Sequence, residues 1–122
     1  MKKIFLLTLI FCFVFSLSIP TLAATKPSRQ TIVKISSPKK GQIFLSWKKY
    51  SSVKGYQIYI SKSSNFSKST KSLSVGKNTH SLYSKNWKSK TKYYAKVRSF
   101  KMSENGKKLY GKWSTIRSVT VK

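Results

Sequence analysis

A two-sheet, all-β sandwich of about seven short strands is what this sequence predicts. Three observations carry that expectation. Apolar residues alternate with polar ones at Ile43, Leu45 and Trp47, again at Tyr56, Ile58 and Ile60, and again at Tyr93, Ala95 and Val97. That alternation is the pattern of a strand with one buried face. Turn-forming residues separate the runs at short spacing: Ser37-Pro38, Gly41, Gly55, Gly76-Lys77-Asn78 and Asn105-Gly106. No window repeats its apolar residues at helical spacing.

The elements follow in order. Thr31 to Ser36 is rich in β-branched residues and stops at Pro38. Lys39 to Gly41 forms a turn into Gln42–Trp47. Tyr50 to Gly55 is a loop into Tyr56–Ser61. A Ser/Lys-rich loop holding Phe66 comes next, then two shorter strands, "KSLSVG" and "THSLYS". Thr91 to Phe100 is the longest strand. Asn105-Gly106 suits a hairpin turn, and "IRSVTVK" closes the chain, with Val119 and Val121 on one side.

Residues 1–24 read as an export signal rather than part of the fold. Lys2 and Lys3 precede an apolar run from Ile4 to Ile19, Pro20 breaks it, and Ala23 and Ala24 offer a cleavage point. The run is short for a spanning helix, which needs roughly 20 residues. No membrane span is therefore expected after cleavage, an uncleaved anchor being the alternative. Cys12, the single cysteine, falls within this segment, so a cleaved chain has no thiol and no disulfide. A flexible lead at 25–29 and one domain at 30–122 complete the organisation.

The charge is extreme. The chain carries 26 Lys and Arg against one acid, Glu104, for a formal net charge of +25. Loss of Lys2 and Lys3 lowers that to +23. Solvation alone needs no such bias, because Glu serves it as well, so an anionic partner is expected. The same composition speaks against catalysis. General acid–base chemistry uses His or paired carboxylates, and this chain has only His80 and Glu104. No phosphate-cradling glycine loop appears, and hard metals lack oxygen anions to bind. No cofactor and no metal are expected. Asn65-Phe66-Ser67 fits the glycosylation pattern and is read as a chance match.

Certain stretches resemble a known family. "IFLSWKKYSSVKGYQIYIS", "WKSKTKYYAKVRSF" and "YGKWSTIRSVTVK" together resemble a fibronectin type III domain of a bacterial secreted protein. The likeness covers nearly all of the chain after residue 30. Trp87 departs from it, standing where Leu is usual, as does Ser89, where Pro is frequent. The resemblance implies an immunoglobulin-like sandwich with strands A, B and E facing C, C′, F and G. It also implies that Tyr93 is a corner tyrosine whose hydroxyl bonds backbone near the turn before its strand. Trp47, Tyr56, Ile58, Tyr93, Val97 and Trp113 are expected in the core.

If Tyr93 points inward, alternation turns Tyr94, Lys96, Arg98 and Phe100 outward. In such a fold Tyr59 lies on the neighbouring strand. Tyr59, Tyr94, Lys96, Arg98 and Phe100 thus form a candidate ligand-binding face. Against this stands the plain alternative of solvated cations and strand-stabilising aromatic pairs. The function expected is a secreted, non-catalytic, basic binding module, monomeric and extracellular or held at the cell envelope. Its expected partner is an anionic wall polymer or glycan. Extracellular nucleic-acid binding, or a protein-interaction role with incidental charge, is the alternative.

Overall fold

The structure, a computed structural model, describes residues 25–122. Residues 1–24, read as an export signal and containing Cys12, lie outside the described residues. Eight antiparallel strands form two sheets. The first sheet is β1 (Ile32–Ser36), β2 (Ile43–Trp47) and β5 (Ser81–Ser84), in the order β1-β2-β5. The second runs β4 (Lys71–Gly76), β3 (Gly55–Ser61), β6 (Lys92–Met102). Both β7 (Lys108–Tyr110) and β8 (Arg117–Thr120) pair with β6 on its far side. Among the described residues, no helix is long and apolar enough to cross a membrane.

The core forms where the alternating runs meet. Ile43, Leu45 and Trp47 from the first sheet face Tyr56, Ile58, Ile60, Tyr93, Ala95 and Val97 from the second, and all are buried. The Trp47 and Tyr56 rings meet at 5.7 Å between centroids. Each large apolar side chain so buried stabilises the fold by roughly 1.5–3 kcal/mol. No cysteine lies among the described residues, so this core holds the fold without a disulfide.

The Tyr93 hydroxyl accepts the Lys88 backbone N–H at 3.0 Å, fixing the connection into β6. Trp87 lays its ring across Tyr93 at 4.7 Å and donates its indole N–H to Ser84 Oγ at 2.8 Å. A larger ring than the usual leucine is thus seated by one edge contact and one hydrogen bond. At Ser89, the carbonyl accepts the Thr91 hydroxyl at 3.3 Å, a side-chain lock on the turn in place of a proline ring.

The closing run "IRSVTVK" contains β8, and a further short strand, β7, precedes it, which raises the count among the described residues to eight. Residues 111–116, between β7 and β8, make no ladder. A Cβ at Gly111 would stand 2.7 Å from the Pro27 carbonyl and 2.9 Å from that of Ser28. The lead at 25–29 therefore crosses the closing segment backbone to backbone, and only glycine leaves room. Ser114 rejoins β6 by donating its N–H to the Val97 carbonyl at 2.8 Å, while its hydroxyl oxygen accepts the Val97 N–H at 3.0 Å.

Candidate binding surface

The β3–β6 register decides what the outer face presents. Gln57 pairs with Arg98, Tyr59 with Lys96, Ser61 with Tyr94, and Gly55 with Phe100. Residues paired directly across a ladder share a face. Gln57, Tyr59, Lys96 and Arg98 therefore stand together, each half-buried.

What covers them comes from loops. Phe66, in the β3–β4 loop, holds a left-handed φ of 58°. Its N–H bonds the Ser63 carbonyl at 3.0 Å, and its own carbonyl accepts the Thr70 hydroxyl at 3.0 Å. Trp113 arrives from the irregular 111–116 segment, and Tyr110 from β7. Together they build a ladder in which rings and cations alternate. Lys96 Nζ lies 4.3 Å from the Phe66 centroid and 4.6 Å from that of Trp113. Arg98 Cζ lies 4.3 Å from Trp113 and 3.6 Å from Tyr110. Trp113 is thus shared between two cations. Tyr59 backs it at 4.6 Å.

Each cation–ring contact contributes roughly 0.5–1 kcal/mol when exposed and up to about 2 when desolvated. Arg98 is further fixed by its Nε–H to Gln57 Oε1 at 2.8 Å. Partial burial, and then the charge of Arg98, push the Lys96 pKa below its ordinary value. No carboxylate relieves them: Glu104, the single acid, is exposed in the β6–β7 turn.

Two expectations need correction. Trp113 is not a core residue. It is half-buried on the outer face, because it lies on the irregular segment 111–116, which is tied to β6 at Gly111 and Ser114 but forms no strand until Arg117. Phe100 does lie on the outer side, but it is only 7% exposed. Gly55 opposite leaves a vacancy that the Phe100 ring fills, so a Cβ there would come within 2.8 Å of it. Lys108 and Tyr110 cover the rest, at 4.6 and 5.9 Å from the ring centroid. Phe100 therefore supports the face without offering itself to a ligand. Tyr94 pairs with Ser61 rather than with Tyr59, and Lys92 Nζ lies 5.4 Å from its ring. Sequence reasoning missed Phe66, Gln57 and Tyr110. The available signal was the Tyr110-Gly111-Lys112-Trp113 spacing, where a glycine between two aromatics marks a break in the ladder.

His80 is exposed, and no group of three His, Cys, Asp or Glu residues gathers among the described residues.

No model of a protein family matches the chain, and no curated protein matches it. Solved structures do. The FN1-FN3 domains of chicken CNTN1 superpose with a TM-score of 0.64 at 25% identity, covering 82% of this chain and 32% of that one. The chain thus spans about a third of that structure. The fn3 domain of human contactin 1 gives 0.64 at 17% identity, covering 82% of each chain. An Fn3-like protein from Clostridium thermocellum gives 0.60 at 16%, covering 80% of this chain and 96% of that one. Three strands facing five, a tyrosine corner and these superpositions give the chain the fibronectin type III fold.

Proposed function

We propose that this domain is a secreted, non-catalytic module that holds anionic polymers of the cell envelope through the ladder face. One observation carries the reading. Arg98 is clamped between Tyr110 and Trp113 with its Nε spent on Gln57. The remaining guanidinium N–H groups are thus presented beside Lys96 with no carboxylate facing them. Fixed cations bind phosphate or carboxylate with less lost side-chain entropy than free ones. An anion placed there also relieves the Lys96–Arg98 repulsion. The export signal at 1–24 and the net charge of +25 support the same setting.

Nucleic acid is the weaker reading. Base recognition on sheet faces uses rings open to stacking, and here cations already lie over the rings of Phe66, Trp113 and Tyr110.

The test is retention of the purified protein on cell wall, before and after chemical removal of its anionic polymer, across a salt series. Retention is expected to fall steeply with salt, to drop on the stripped wall, and to weaken strongly in Lys96→Ser with Arg98→Ser. Equal retention on stripped wall, or an unaffected double variant, overturns the reading.

A further inference from the structure

Away from the ladder, at the end of the sandwich where the β1–β2 turn meets the β5–β6 connection, lies a pocket of about 420 Å³. That volume falls within the range of small-molecule sites, about 300–1,000 Å³. We propose that it is a second binding site, for a sugar ring bearing a phosphate or carboxylate group.

The pocket is framed by backbone. Gly41 holds φ at +71°, a conformation glycine adopts freely. It donates its N–H to the Lys122 carbonyl at 2.9 Å and accepts the Trp87 N–H at 3.0 Å. The second bond ties the two walls together, and the first anchors the turn to the end of the described chain. A Cβ at Gly41 would press on the Trp87 carbonyl at 3.3 Å. Gln42 closes the turn through its N–H to the Lys39 carbonyl at 3.1 Å, and its own carbonyl accepts the Ser37 hydroxyl at 2.6 Å. Asn86 opposite stands at a φ of 70°. Trp87 is pinned by its indole bond to Ser84. The backbone of the pocket is thus held before a ligand arrives, and only the Gln42 side chain has to turn.

The lining has three chemical parts. Lys39, Lys40 and Lys85 supply ammonium groups from both walls. Trp87 is the aromatic residue of the lining, its ring already against Tyr93 at 4.7 Å and with Lys71 Nζ 5.6 Å from its centroid, so a sugar would have to rest on what these leave uncovered. Gln42 Oε1 is buried with no donor opposite it, an acceptor that a sugar hydroxyl satisfies once the side chain turns toward the cavity. A bare anion uses only the first part, and a neutral sugar only the last two. Glu104 sits beyond the other end of the eleven-residue β6, on the order of 30 Å along the strand. It therefore does not compete for these lysines.

The test is an NMR titration of the purified protein, following the indole N–H groups of Trp87 and Trp113. The probes are glucose 6-phosphate, glucuronate, glucose and inorganic phosphate. Saturable shifts are expected at Trp87, Gly41 and Asn86, but not at Trp113, with glucose 6-phosphate or glucuronate. Whichever binds tighter identifies the anionic group. Lys39→Ser with Lys85→Ser is expected to weaken binding about tenfold. Lys48→Ser with Lys49→Ser removes the same charge at the opposite end of the sandwich and should change it less than about twofold. The site is refuted if inorganic phosphate alone matches the sugar acids, if glucose matches them, if no probe moves Trp87, or if both variant pairs weaken binding equally. Such a failure leaves the ladder face untouched, because that face depends on Lys96 and Arg98.

Discussion

The two sheets turn different outer faces to solvent from similar ingredients. On the β3–β6 side, each cation lies between rings, and Arg98 is hydrogen-bonded in place. On the β1-β2-β5 side, Phe44 and Tyr83 pair across the ladder at 4.8 Å, but Tyr83 is 63% exposed. The nearest cation there, Lys34, stands 6.0 Å from the Phe44 centroid. One face is interlocked; the other carries a single pair open to water. Aromatic and basic content alone therefore does not make a shaped positive surface. The ladder needs a chain segment that leaves its strand and lays an indole between two cations.

Three changes probe this contrast. Trp113→Ala removes the shared rung and should cost about 2–3 kcal/mol, less than a fully buried Trp because Trp113 is half-buried. In thermal unfolding that lowers Tm by roughly 10–20 °C. A drop of only a few degrees would mean that the rungs merely lie side by side. Tyr83→Ala, on the open face, should cost about 0.5 kcal/mol by chemical denaturation, the scale of a cross-strand pair. A loss equal to that of Trp113→Ala would erase the distinction between the faces.

The smallest effect concerns pH. The folded state holds the Lys96 pKa below its ordinary value, through burial first and Arg98 second. Between that lowered value and the ordinary lysine value, the unfolded chain keeps a proton that the folded chain has released. Stability from this group therefore rises with pH across that window, and the penalty is complete below it. The stability of the native protein minus that of Lys96→Gln should climb toward alkaline pH. A flat difference in urea midpoints over that range contradicts the account.

Much of the fold was legible because the physics was local. The alternation at Ile43–Trp47, Tyr56–Ile60 and Tyr93–Val97 names both sheets' inner faces, and Asn105-Gly106 marks a hairpin turn. The outer face was legible only in part. Lys96 and Arg98 follow from strand parity, but their covering rings come from residues 12 or more positions away, on β7 and on irregular segments. Parity stops at Gly111, where β7 has ended and the chain passes close to Pro27. Trp113 lies beyond it, on a segment where alternation says nothing about which way a side chain faces. Phe100 escaped for a related reason: its burial depends on the absent side chain of Gly55 across the sheet. A glycine opposite an aromatic is a recognisable signal, but only once the register is known.

Because β7 and β8 share a single partner, β6 acquires one whole flank only when the final residues arrive. Until then its eleven residues form an open edge, long enough to recruit a strand from another molecule. Lys92, Lys96 and Arg98 stand at alternate positions near that edge, with Lys101 beyond. Two such edges brought together would align like charges, which resists pairing. Like charges so placed would oppose the pairing of two copies whose β6 edge is still open.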